Sequence, residues 1–210
     1  MCPVAPRVVK YDEFMQITNR GQIEDYIMYK AFVISTIAYY LLVAVQGDCS
    51  SDKDKGTETC GSTQSIRWYF NQKKFRCMAF TYLGCGGNGN NYITYDKCQT
   101  CSPADGPTCL SAAFSPPPPR PAGSGSLGPR WCKTVGCPTG YECQNGGMTS
   151  QCCNSTTENW FKEAENPKCK DGQTALQLGG HTIVADSCSD LSCPEGHYCE
   201  TTNQLFAKCC

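Results

Sequence analysis

The sequence predicts a small disulfide-rich, multi-module fold: one α+β unit followed by two irregular, β-containing cysteine-rich modules. Three observations predict it. The chain carries 19 cysteines in 210 residues. With Cys2 set aside, the remaining eighteen begin at Cys49 and fall into three groups of six. The second and third groups repeat one another, since VGCPTGYEC (135–143) and LSCPEGHYC (191–199) share Cys-Pro-x-Gly-x-x-Cys and each group closes on a double cysteine, Cys152-Cys153 and Cys209-Cys210.

Cysteine at this density belongs to an oxidising compartment, because cytosolic thiols are kept reduced and modules this small bury too little apolar surface to fold unaided. An export signal is therefore expected. MYKAFVISTIAYYLLVAVQG (28–47) supplies a start methionine, one lysine, an apolar run and small residues before Asp48, and reads as a signal peptide. The alternative is an uncleaved signal anchor, but the apolar run from Ala31 to Val45 is shorter than the ~20 residues of a spanning helix. Residues 1–27, with mixed charges and the lone Cys2, are expected to be an extension of the gene model rather than a domain. The expected product is secreted and extracellular, with no membrane contact after cleavage. Its 18 basic and 19 acidic side chains leave no electrostatic footprint for nucleic acid.

The first module spans 48–102. Ser65–Asn71 (SIRWYFN) and Cys77–Gly84 (CMAFTYLG) are aromatic-rich runs joined by the polar turn Gln72-Lys73-Lys74, and predict a twisted β-hairpin. Thr94 is placed to cap a short helix over Tyr95 to Cys101, with Asp96 near its positive end. The stretch Asp52-Lys53-Asp54-Lys55 alternates charge and reads as a solvated loop.

Arg67-Trp68-Tyr69-Phe70-Asn71, Cys77-x-x-Phe80-x-Tyr82-x-Gly84-Cys85, and Asn90-Asn91-Tyr92 ahead of the closing cysteines resemble the pattern of Kunitz (BPTI-type) serine protease inhibitors. The resemblance implies disulfides Cys49–Cys101, Cys60–Cys85 and Cys77–Cys98. It also implies a protease-binding loop at Cys60, Gly61, Ser62 and Thr63, backed by a secondary loop at Leu83, Gly84 and Cys85. Inhibitors of this kind present a preorganised loop that a serine protease binds as substrate but does not productively release. The side chain after the second cysteine enters the primary pocket, and in trypsin-directed members it is Lys or Arg.

Here that residue is Gly61, which offers the pocket no side chain and gives the backbone more freedom to lose. Six residues separate Cys60 from Arg67, one more than the family usually has, so either Gly61 or Ser62 lies at the primary position. Leu83 stands where the family prefers glycine, and the closing Cys98-Gln99-Thr100-Cys101 is one residue short, so the helix end must adjust to keep its bridge. A small residue suits the shallow pocket of an elastase-like protease. The two functional readings are thus a secreted serine protease inhibitor and an extracellular matrix or partner-binding protein built on an altered Kunitz scaffold.

The later modules span 103–154 and 165–210, with a connector at 155–164. Neither shows a long apolar periodicity, so each is expected to lean on about three disulfides, worth ~2–4 kcal/mol apiece. Six cysteines leave the pairing within each open. The first contains FSPPPPRPAGSGSLGPR (114–130), a linker-like insertion, and the second contains TALQLGGHTIV (174–184), which reads as a short hairpin about Gly179-Gly180. The two modules resemble lustrin-type cysteine-rich repeats, and the combination behind a signal peptide resembles secreted invertebrate proteins, nematode-type among them.

Asn154-Ser155-Thr156 is an N-glycosylation sequon at a module edge. His181 and His197 lie near cysteines, but the disulfides account for those cysteines, so no metal or other cofactor is expected. No HExxH, no G-x-S-x-G and no nucleophile beside either histidine points to catalysis.

Overall fold

The computed structural model describes residues 28–34, 47–115, 118, 131–146 and 149–210. The chain divides into two units, Met1–Gln46 and Gly47–Cys210. In the first, residues 28–34 are helical. The rest of the segment read as a signal peptide, up to Gln46, lies outside the described residues, as do 1–27 and most of the proline-rich insertion. Among the described residues no helix is long and apolar enough to cross a membrane.

The second unit is built on an antiparallel hairpin of β1 (Ser65–Asn71) and β2 (Arg76–Tyr82), in register from Ser65↔Tyr82 to Asn71↔Arg76. Its turn is held by Asn71, whose Oδ1 accepts from the Lys74 amide at 3.1 Å, and it closes at Phe75 with φ of 50°. Successive side chains on a strand point to opposite faces. Trp68, Phe70, Cys77 and Ala79 therefore lie in one core cluster, and Tyr69, Met78 and Phe80 in another. Both faces are covered, which is why Cys77 to Thr81 form an unbroken buried run instead of an alternating one.

The cover over the first face is the short helix α1 (Tyr95–Gln99), together with Ile183, Ala185, Leu191 and Cys209 from the last module. Thr94 caps α1 by accepting from the Lys97 amide, and the helix stops at Gln99, before Cys101. The second face is closed by Phe161, Ala164, Val184 and Phe206. Buried Asn90 knits the base of the hairpin, accepting from the Phe70 amide at 2.8 Å and donating to the carbonyls of Phe70 and Ser51.

The middle module has helix α2 (Trp131–Val135), the hairpin β3 (Tyr141–Asn145) with β4 (Ser150–Asn154), and a small core of Trp131, Cys132 and Cys152. The stretch read as a connector is helix α3 (Ser155–Glu165). It is capped by Asn154, whose Oδ1 accepts from the Thr157 amide at 3.0 Å and hydroxyl at 2.8 Å. Its buried face carries Phe161 and Ala164. The last module has the two-residue strands β5 (Gln177–Leu178) and β6 (His181–Thr182) about Gly179-Gly180, then a sheet in which β9 (Ala207–Cys209) lies between β7 (Val184–Ala185) and β8 (Cys199–Thr201).

Both cysteine-rich modules have one pairing scheme: first with sixth, second with fourth, third with fifth. It is Cys109–Cys153, Cys132–Cys143 and Cys137–Cys152 in one, and Cys169–Cys210, Cys188–Cys199 and Cys193–Cys209 in the other. Each module has the three disulfides expected of it, and the last one has apolar support besides, because Ile183, Val184 and Ala185 alternate between the two clusters of the first module's hairpin.

Candidate functional site

Gly61 to Gln64 have no regular structure and are exposed; they form the loop between Cys60 and β1. Cys60 is bonded to Cys85, which ties this loop to the one following β2. A second tie lies alongside. The amide of Thr57 donates to the Cys85 carbonyl at 2.8 Å, the Cys85 amide returns a bond to the Thr57 carbonyl at 3.1 Å, and the Leu83 amide donates to the Lys55 carbonyl at 2.8 Å. Lys55 to Thr57 thus act as a strand-like partner for Leu83 to Cys85.

Ser62 lies against Gly84. A Cβ added at Gly84, where φ is +112°, would stand 2.8 Å from the Ser62 Cβ, so the contact requires glycine. At Gly61 the reverse holds: φ is +68°, and nothing lies within 4 Å of where a Cβ would be. Side chains brace the flanks. Gln64 donates to Glu58 at 2.7 Å, Thr57 and Thr59 share a hydrogen bond, and the Tyr82 hydroxyl donates to the Gly86 carbonyl. The structure therefore brings together Cys60, Ser62, Gly84 and Cys85. Leu83 joins them through its backbone, while Thr63 is exposed on the loop.

The other bridges of this module are Cys49–Cys101 and Cys77–Cys98. Asn154 stands apart, half-buried at the start of α3 with its Oδ1 engaged in the cap. His181 is stacked on Tyr95 at 4.0 Å and lies 3.5 Å from an Asp96 carboxylate oxygen.

The Asp52–Lys55 stretch is a solvated loop only in part, which corrects the expectation for its lysines: Asp52 and Asp54 are exposed, but Lys53 and Lys55 turn to the last module. The Lys53 ammonium reaches Asp190 at 2.8 Å and Asp186 at 3.3 Å, while Lys55 reaches Asp190 at 3.2 Å and the Ser189 carbonyl at 2.5 Å. Both aspartates belong to the last module. Asp186 also meets Tyr69, Asn71 and Lys74 of the hairpin. Lys74 is 5% exposed, with its Nζ 2.5 Å from both Asp186 and the Leu205 carbonyl and 4.6 Å from the Phe206 ring centre.

Burial sets the direction for Lys74 and Tyr69 but not for the aspartates. It lowers Lys74 against the pull of Asp186, and it raises Tyr69 together with the Asp186 charge. Burial also works against ionised Asp186, but hydrogen bonds from Lys74 and Tyr69 and the charges of Lys74 and Lys53 outweigh it and hold the carboxyl below its ordinary range. Asp190 is likewise held down, against burial, by Lys53, Ser187 and Lys55. Sequence reasoning missed this network, because its lysines and aspartates lie more than 100 positions apart.

Residues 48–102 match the Kunitz/bovine pancreatic trypsin inhibitor domain. Over 171 residues the chain is 32% identical to the major allergen Ani s 1 of Anisakis simplex, covering 78% of this chain and 86% of the allergen. It is 29% identical over 187 residues to a BPTI/Kunitz inhibitor domain-containing protein of Caenorhabditis elegans, covering 85% of this chain and 98% of that one. Tissue factor pathway inhibitor 2 of Mus musculus is 48% identical over 51 residues, 24% of this chain and 21% of that inhibitor. The long matches extend well beyond the 48–102 segment. The chain belongs to the Kunitz/bovine pancreatic trypsin inhibitor domain family, whose members are inhibitors rather than enzymes.

Proposed function

We propose that this chain is a secreted serine protease inhibitor of Kunitz type, binding its target with the loop at Cys60, Gly61, Ser62 and Thr63 and with Leu83, Gly84 and Cys85 behind it. The observation that carries the reading is the contrast between Gly61 and Ser62. Space is open in the direction a Gly61 side chain would take, whereas the Ser62 Cβ is wedged against Gly84. Gly61 is accordingly the residue offered to a primary pocket, and Ser62 the one that follows it. Without a side chain there, the contact lacks its usual central anchor, whose loss costs about 2 kcal/mol or more. An elastase-like protease, whose pocket is shallow, loses least by that absence.

A second reading, binding to an extracellular matrix protein or another partner through an altered scaffold, is favoured by the φ of +68° at Gly61, because a protease binds its substrate segment extended. The reading of the two modules as copies of one repeat, on which the lustrin-type resemblance builds, is supported by the shared motif and by the common pairing scheme. Glycosylation of Asn154 leaves its Oδ1 free to cap α3, since the sugar is carried on nitrogen.

The test is expression of the whole gene in a secreting cell. The mass of protein recovered from the medium should correspond to a chain starting at Asp48 and carrying a glycan on Asn154. That protein is then titrated against trypsin-, chymotrypsin- and elastase-type enzymes. Inhibition strongest for the elastase type is the expected result. Absence of inhibition at micromolar protein across the panel leaves the partner-binding reading in its place.

A further inference from the structure

We propose that Asp190, in the last cysteine-rich module, is a positioning residue for the protease-binding loop of the first. The inference rests on the reading of Gly61 to Thr63 as that loop, and asks what holds it. The Cys60–Cys85 bridge and the Thr57/Cys85 backbone pair fix the loop to its neighbour, but both lie within one exposed corner of the module. The anchor for that corner comes from outside it.

Asp190 has only 8% of its side chain exposed and spans two lysines, with one oxygen 2.8 Å from Lys53 and the other 3.2 Å from Lys55. Ser187 donates to the same carboxylate at 3.0 Å, fixing its orientation. Lys55 is also the residue whose carbonyl receives the Leu83 amide, so its side chain is held by the last module while its backbone holds the secondary loop. A further bond, from the Ser192 amide to the buried Thr81 hydroxyl at 2.7 Å, fixes the same segment of the last module to the end of β2, two residues before Leu83. Ser187–Ser192 thus grips both limbs of the corner, one through lysine side chains and one through Thr81. Preorganisation of a binding loop lowers the entropy lost on docking, and here part of it comes from a module that never includes the loop.

The test is amide exchange in the full chain. Asp190→Ala is expected to raise exchange at Thr57, Leu83 and Cys85 about tenfold, with most protection restored in Asp190→Glu. The Tyr198 and Cys210 amides, which pair with each other's carbonyls at 2.7 Å, should keep theirs, as should the control Asp171→Asn at all five positions. Lys55→Gln, which leaves the last module unaltered, should loosen the same three amides several-fold and decides the matter if Asp190→Ala does not fold. Unchanged protection at Thr57, Leu83 and Cys85, or equal loosening of both modules in Lys55→Gln, overturns the proposal. Exchange reads the corner that carries the loop without reference to inhibition, so the two ideas fail separately. A chain that inhibits nothing yet loosens on Asp190→Ala loses the inhibitory reading alone, and one that inhibits without loosening loses only this inference.

Discussion

A non-glycine residue at φ of +68° is disfavoured by about 1–2 kcal/mol, because its Cβ crowds the following carbonyl. Gly61 stands at that angle with nothing near its Cβ direction, so the backbone conformation opposes a substitution that the surrounding space would admit. Gly61→Lys supplies the charge that a trypsin pocket binds and forces the backbone toward the extended region. Trypsin inhibition should therefore appear in Gly61→Lys, with an affinity about tenfold below that of an unstrained loop, as read by its inhibition constant beside the parent protein's. A variant that remains inactive places the defect in the backbone of the loop, not in the missing side chain. Gly84 is constrained from both sides, by its φ and by Ser62. Glycine before Cys85 was legible as part of a motif, but the Ser62 contact that demands it joins positions 22 residues apart.

At the scale of elements, the hairpin was readable because aromatic and β-branched residues crowd two short runs, and α1 because Thr94 precedes it. Helix α3 was not. Its segment, STTENWFKEAE, is short and mostly polar, with one aromatic pair at its centre. Its buried stripe gains meaning only from Phe206 and the far face of the hairpin. The Phe161 ring is 1% exposed and meets Phe206 edge-on at 5.0 Å and Phe114 at 6.1 Å, which makes it the joint between three modules. Phe161→Ala is expected to cost about 3–5 kcal/mol. Denaturant unfolding of the oxidised chain, followed by the summed fluorescence of Trp68, Trp131 and Trp160, would measure it, and a loss under about 1 kcal/mol would show that the site collapses around the smaller side chain.

Across the whole molecule, the first and last modules are joined by two apolar clusters and by the aspartate–lysine network at one edge. Asp186 and Asp190 are both held below the ordinary carboxyl value of 3.8. A carboxyl whose folded pKa is depressed contributes stability that is fully present above its unfolded value and is lost as the pH falls through the folded one. The contribution of these two carboxylates to docking of the last module should therefore be constant near neutrality and fall away below about pH 4. Thermal melts across that range would register this as a falling midpoint, with a shallower fall in Asp186→Asn; equal slopes in the two proteins would place the acid sensitivity elsewhere. By itself the sequence determined what is local or periodic: three groups of six cysteines, the repeat, the hairpin, the cap on α1 and an exposed stretch after Cys60 that lacks a large side chain. Only the tertiary structure decided the pairing of the repeats' cysteines, the burial of both hairpin faces, and the partners of Lys53, Lys55 and Lys74. The six cysteines of each repeat pair over only 11 to 44 positions, but nothing local selects one pairing over another; the lysine partners lie 112 positions or more away, as Asp186 does from Lys74, and composition carries no record of which distant side chain neutralises a charge.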